Sequence, residues 1–406
     1  RGNYAQRIST SSIYNLKQNS DDNLSSVSSV SPPVRDFGMD FLFHLQAMRS
    51  SRSSFSQNSQ TTQTKHNFKY LVLEGGGVKG IALVGALSEL YKLGEIRSIT
   101  HITGSSVGAL IGSLVACRIP YEQLEKYING LDFSKFRDSS WNPFKNIYNI
   151  QRKCGWYQGN ELYEEHGNIL RAIRDNKAEN PADITFQEVY NLFGTTLVIP
   201  VTLVYKQGCI SINCSRANFP NMPIRLASRY SASFPLWFEA LPFLGTLTTD
   251  GGLLNNYPVD VFAEYPDFIS RGIGLKLVAS HEIRTLRNKI GETIPSRHLS
   301  GQTDVLGGAP NNAEEFTYSI VGAIYDNAQM MHIPPYANEL TVNIDTGHVS
   351  SMNFNIPSVD KMMLFEKGKD AIVEFLRARR PLCSTELDSP RVSIGENGSR
   401  LSSVSN

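Results

Sequence analysis

The chain has 406 residues, 41% hydrophobic and 19% charged, with a formal net charge of +1. That composition suits one large globular domain or two modest ones. It offers no global field to gather nucleic acid or acidic polymers, and no apolar run of about 18 residues that would span a bilayer.

In chain order, residues 1–66 are rich in Ser, Asn and Gln and lack sustained periodicity, so they are expected to be a disordered N-terminal segment. One apolar island, Met39 to Met48, reads as a transient helix in that tail, or as an amphipathic segment that touches lipid or docks on the core. The sequence opens on Arg1 rather than methionine and shows no leader-peptide pattern, so a start further upstream is expected. The folded domain is expected over residues 67–380, with a second disordered Ser-rich tail over 381–406.

Within the domain, Phe68–Leu73 reads as a short buried strand and Gly80–Leu93 as an amphipathic helix stopped by Gly94. Ser98–Thr103 reads as a second strand, and Val107–Cys117 as an almost wholly apolar helix buried on most sides. Strand, helix, strand, helix at this spacing predicts an α/β fold with a parallel or mostly parallel sheet. Tyr121–Glu188 reads as a helical insertion or cap. Thr196–Tyr205 and Cys209–Asn213 read as a hairpin around Lys206-Gln207-Gly208. Helices follow at Ile224–Ser233, Asn311–Met331 and Val359–Leu376, and strands at Ile273–Ala279 and Leu340–Ile344. Glu282–Pro310 reads as a long surface loop. The five cysteines, Cys117, Cys154, Cys209, Cys214 and Cys383, are odd in number and hold no C-x-x-C pair. They suggest buried free thiols in a reducing compartment, with no disulfide framework and no zinc site.

Three glycine-bearing motifs carry the chemistry. Gly75-Gly76-Gly77-Val78-Lys79-Gly80 follows the first strand and precedes a helix. Three glycines free the backbone to aim N–H groups at one point, an anion-binding nest beside which Lys79 adds positive charge. Gly104-Ser105-Ser106-Val107-Gly108 has the G-x-S-x-G spacing at a strand-to-helix junction. There a tight turn lifts the serine hydroxyl clear of the sheet and the helix N-terminus faces developing negative charge. Asp250-Gly251-Gly252 presents a carboxylate that could take the serine proton, if the fold bridges the 144 residues from Ser106.

Other readings compete at each motif. Gly75, Gly77 and Gly80 also satisfy the G-x-G-x-x-G dinucleotide fingerprint, but no Asp or Glu lies between Ile96 and Arg118, where that fingerprint needs one. Ser106 and Asp250 could join His281, His298, His332 or, best placed, His348 in a Ser–His–Asp triad. Asp250 by itself is a turn residue, and Ser106 a helix cap. A non-catalytic nucleotide- or lipid-binding protein using the glycine loop is the alternative outside the hydrolases. Phe234–Phe238 and Leu241–Leu244, with Trp141, Phe144, Ile147 and Tyr148, read as core, as an acyl-chain pocket or as a membrane contact. Lys145, Arg152 and Lys153 read as a solvated face or a headgroup contact.

In their order and placement the three motifs resemble those of the patatin-like phospholipase family. The likeness covers roughly residues 68–380 and includes Ser228–Ala240 and Asp345–Leu376. It implies a three-layer α/β/α domain with a mostly parallel sheet, related in architecture to the α/β-hydrolases. It further implies a Ser106–Asp250 dyad without histidine, an oxyanion hole at Gly75, Gly76 and Gly77, and hydrolysis of phospholipid or lysophospholipid acyl esters with no metal and no cofactor. Gly80, Lys79, Gly104, Gly108, Gly251 and Gly252 complete the motifs. Glu74 and Lys79 stand where the family more often has Asp and Arg. The expected partners are the lipid substrate and a membrane surface met peripherally. The expected location is cytoplasmic, with secretion into a host cell and the oligomeric state left open.

Overall fold

The computed structural model describes residues 66–130, 152–279, 316, 319–322 and 334–379. The expectations for 1–65 and 380–406, the Glu282–Pro310 loop, most of the Asn311–Met331 helix, the aromatic residues at 141–148 and Cys383 lie outside the described residues. Among those described, no helix is long and apolar enough to cross a membrane.

The order of elements begins β1 (Tyr70–Leu73), α1 (Gly80–Lys92), β2 (His101–Gly104), α2 (Val107–Ala116) and α3 (Tyr121–Gly130). It continues with β3 (Gly155–Tyr157), α4 (Asn160–Ala172), α5 (Phe186–Phe193), β4 (Thr196–Tyr205), β5 (Gly208–Ser215) and α6 (Ile224–Ser231). Next come β6 (Leu236–Phe238), β7 (Pro242–Phe243), β8 (Thr246–Thr249), α7 (Gly252–Asn255) and α8 (Phe268–Arg271). The domain closes with β9 (Gly272–Val278), β10 (Thr341–Asp345) and α9 (Ser358–Ala378).

Eight described strands form one sheet in the order β10-β9-β1-β2-β4-β8-β7, with β5 also on β4. The run β10-β9-β1-β2-β4 is parallel, and β5, β7 and β8 are antiparallel additions. β1 shows why the fold needs two covering layers. Its four residues are apolar and fully buried, the pattern of a parallel strand covered on both faces. Leu71 and Leu73 join one core with Ile81 of α1, Ile111 of α2 and Leu364 of α9. Tyr70 and Val72 point the other way, into a second core with Tyr257, Phe262, Phe268 and Leu340. The result is three layers around a mostly parallel sheet, as expected. α1 and α9 cross at backbone contact: a Cβ on Gly85 would lie 2.0 Å from the Phe365 carbonyl oxygen, and one on Gly368 2.0 Å from that of Ala82.

Most predicted elements appear within a few residues of their expected ends. β2 starts late because Glu95–Ser98 winds into a 3-10 turn after Gly94, which has φ 72°. The Tyr121–Glu188 insertion is only partly helical: β3 pairs in parallel with β6 as a separate two-stranded sheet. Cys117 and Cys214 are buried free thiols, whereas Cys154 and Cys209 are exposed. The buried-thiol expectation therefore fails for those two, which lie at a strand approach and on an edge strand.

Candidate active site

β2 ends at Gly104 and α2 begins at Val107, leaving Ser105 and Ser106 to turn the chain. Ser106 takes φ 52° and ψ −123°, a conformation that costs an ordinary residue about 1–3 kcal/mol. The turn is held from below. The Gly108 N–H donates to the Ser105 carbonyl at 2.8 Å, and the Ser106 N–H donates to Ser231 Oγ at 3.1 Å. The flanking glycines are required by contact. A Cβ on Gly108 would lie 2.5 Å from the Leu73 carbonyl oxygen, and one on Gly104 2.4 Å from that of Gly108.

Sheet register explains how a carboxylate 144 residues away arrives here. β2 pairs with β4 only as far as Thr103 opposite Val198. β5 occupies the other edge of β4. β8 therefore shares the β2 edge, running antiparallel with Thr249 opposite Thr202. The two strands point at each other along one edge of β4, with a gap beside residues 199–201. Ser105 and Ser106 leave one strand end, and Asp250 and Gly251 leave the other. A Cβ on Gly251 would lie 2.2 Å from the Pro200 carbonyl oxygen and 2.8 Å from Ser105 Oγ, so only glycine passes through the gap.

Across it, Ser106 Oγ donates to Asp250 Oδ2 at 2.7 Å, and the Gly252 N–H donates to Asp250 Oδ1 at 2.7 Å. Asp250 is 1% exposed. Burial pushes its carboxyl up to about 7, against the opposing pull of those two hydrogen bonds. At neutral pH such a group takes up or releases a proton readily, the property a general base needs.

The glycine loop closes the site from the β1 side, where a Cβ on Gly75 would sit 3.0 Å from Ser106 Cβ. Here the structure narrows the sequence expectation. The Gly75 N–H is not aimed at the cradle; it donates to the Asn256 carbonyl at 3.0 Å, and Asn256 Nδ2 donates back to the Gly75 carbonyl at 3.0 Å. Val78 N–H donates to Ser351 O at 3.0 Å and Lys79 N–H to Gly76 O at 3.1 Å. The Gly76 and Gly77 amides have no acceptor among the described residues. Gly77 has φ 54°, and a Cβ on it would lie 2.1 Å from the Ser351 carbonyl oxygen. Gly80 lets α1 start against Val107, whose Cγ2 would be 2.5 Å from an added Cβ.

Five further residues support the site. Asn256 ties the segment after Asp250 to the glycine loop, Ser231 supports the Ser106 amide, and Ser351 accepts from the loop. Glu74, fully buried, pairs with Lys276 at 2.9 Å and accepts from the Leu277 N–H. Burial raises the Glu74 carboxyl, partly offset by Lys276 and the Leu277 amide.

The competing readings find little here. His348 is 61% exposed and lies 3.5 Å from Asp360, while hydrogen bonds from Ser106 and the Gly252 amide already engage both Asp250 oxygens. His281, His298 and His332 lie outside the described residues. Of the apolar stretch before Asp250, Trp237 is core, its ring tilted against Tyr157 at 4.9 Å and Phe354 at 4.5 Å between centroids. Phe243 packs on Tyr230 at 5.1 Å. Lys153 pairs with Glu239 at 2.9 Å.

Residues 71–263 match the family model of the patatin-like phospholipases. The chain is 27% identical over 308 residues to an uncharacterized protein of Acanthamoeba polyphaga mimivirus, spanning 75% of this chain and 92% of that one. It is 26% identical over 200 residues to a probable lipid hydrolase of Invertebrate iridescent virus 6, spanning 49% of this chain and 64% of that one. Among solved structures it is similar to VipD from Legionella pneumophila, with a TM-score of 0.48 and 19% identity, over 77% of this chain and 67% of that one.

Proposed function

We propose that the chain is a lipid-hydrolysing esterase of the patatin-like phospholipase type, whose family model matches residues 71–263, and that it cleaves fatty-acyl esters of phospholipids or lysophospholipids with a Ser106–Asp250 dyad. The supporting observation is the 2.7 Å hydrogen bond between two side chains 144 residues apart. Ser106 Oγ attacks the ester carbonyl carbon while Asp250 Oδ2 takes its proton. The Gly76 and Gly77 amides receive the oxyanion, and the start of α2 adds its positive end. Asp250 returns the proton to the departing alcohol, leaving an acyl group on Ser106. Water then attacks that ester, with Asp250 again as base, and the fatty acid departs. Each step uses groups of this chain, and no metal or cofactor is assigned.

The test is a panel of phospholipids and lysophospholipids incubated with the protein and read by mass spectrometry. Wild type should release free fatty acid and the matching deacylated lipid. Release that persists in Ser106→Ala, or no release from any lipid, would end this reading.

Asn256 becomes a positioning residue on the same reading, because it links the base segment to the oxyanion loop through the paired Gly75 bonds. Asn256→Ala should lower kcat by about 100-fold, the order expected for misplacing a reacting group by an ångström, with KM little changed. Steady-state kinetics with a soluble ester would show the split. A raised KM at unchanged kcat would place Asn256 in substrate binding instead.

A further inference from the structure

Building on the lipid-hydrolase reading, we infer that the β7–β8 turn and the sheet face beside it form the surface by which this domain seats on an anionic bilayer. The first observation is the turn. Phe243 pairs with Thr246, so the loop between them is only Leu244 and Gly245. Both have positive φ, 50° and 78°, as in the turns that favour Asn-Gly or Asp-Gly. A leucine is costly there, and this one is 57% exposed. Local packing therefore returns little for a residue that both turn chemistry and solvent disfavour.

The second observation is the register behind the turn. Leu247 lies opposite Pro242 on one side and Val204 on the other, and Val204 lies opposite Cys209. Directly paired residues share a sheet face, so Pro242, Leu247, Val204 and Cys209 form one row across four strands. Leu247 is 38% exposed, Pro242 and Cys209 are exposed and Val204 is half-buried. Contiguous exposed apolar surface of this kind marks an interaction site.

Charge and position select the occupant. Between Glu188 and Asp250 the only acidic side chain is Glu239, buried and paired with Lys153. Of the exposed charges of that stretch, Lys206 lies on the β4–β5 turn, two residues beyond Val204 of the row, while Arg216 follows the far end of β5 and sits over the Tyr190 ring. Leu247 precedes Asp250 by three residues of extended chain, about 10 Å. Apolar side chains with a cation, Lys206, at the edge of the row, one short strand from an ester-cleaving site, suit a lipid surface that delivers substrate there.

The experiment uses Ser106→Ala protein, which leaves vesicles intact, co-sedimented with phosphatidylcholine vesicles with and without phosphatidylserine. Tighter binding to the anionic vesicles is expected. Adding Leu244→Asp and Leu247→Asp should weaken it at least tenfold, and adding Lys206→Glu should remove the preference for phosphatidylserine. In the otherwise wild-type chain, the two Leu→Asp changes should leave hydrolysis of a soluble short-chain ester within about twofold while vesicle hydrolysis falls. Leu244→Trp provides a reading independent of those changes: its emission should shift to the blue on vesicle addition. Unchanged vesicle binding in the Leu→Asp protein, or no shift from Leu244→Trp, would overturn the surface. So would a change in self-association alone, which would make it a contact between copies. Loss of soluble-ester hydrolysis in wild type would instead strike the catalytic reading, a separate arm of the test.

Discussion

Ser106→Ala should lower kcat by about a millionfold, the order seen when an activated serine is removed from a hydrolase, while leaving the fold intact. Ser106→Gly should be equally inactive yet more stable than wild type. The native residue holds φ 52° and ψ −123°, which glycine adopts without Cβ strain. Relief of about 1–3 kcal/mol, less about 1 kcal/mol for glycine's greater loss of chain freedom, leaves a net gain of about 1 kcal/mol. Thermal unfolding and turnover measured on the same two variants test the pair of statements together. A Ser106→Gly protein that unfolds earlier than Ser106→Ala would show that the turn is not held under strain. Retained activity in either would remove Ser106 from the chemistry.

Asp250→Asn should lower kcat by about 10⁴-fold, the upper range for losing a positioned general base, and flatten the pH profile. With its carboxyl at about 7 in the fold, wild-type kcat/KM should rise tenfold per pH unit below neutrality and level off above it. Stability should run the other way. The folded carboxyl sits above its unfolded value of about 3.9, so the fold prefers the protonated form. This group's contribution is complete below about pH 3.9 and is lost as pH climbs through about 7, at no more than about 1.4 kcal/mol per unit. Asp250→Asn should remove that part of the pH dependence. A profile with no transition between about pH 5 and 8 would argue against Asp250 as the base.

Much of this was legible in the residues. The apolar runs at 70–73 and 107–116 are short and unbroken because parallel strands and the helix between layers are buried on all sides, so length and composition suffice to find them. The glycines of G-x-S-x-G are legible because backbone packs directly on them. What was missed is short or non-local. β3, β6, β7 and β8 run two to four residues, too few for a period to show. Asn256, Ser231 and Ser351 work through one or two hydrogen bonds to distant backbone, which leave no pattern around them. The direction of the Gly75 amide was misread for the same reason, since its acceptor lies 181 residues on.

The amino-acid order by itself determined the parallel β–α–β core, the turn that raises Ser106 and the presence of a carboxylate on a glycine-flanked bend, because each is a local matter of steric room and periodicity. Only the tertiary structure decided that these parts meet. Register along β4 aims the ends of β2 and β8 at one another, and the burial this creates brings the Asp250 carboxyl near neutrality.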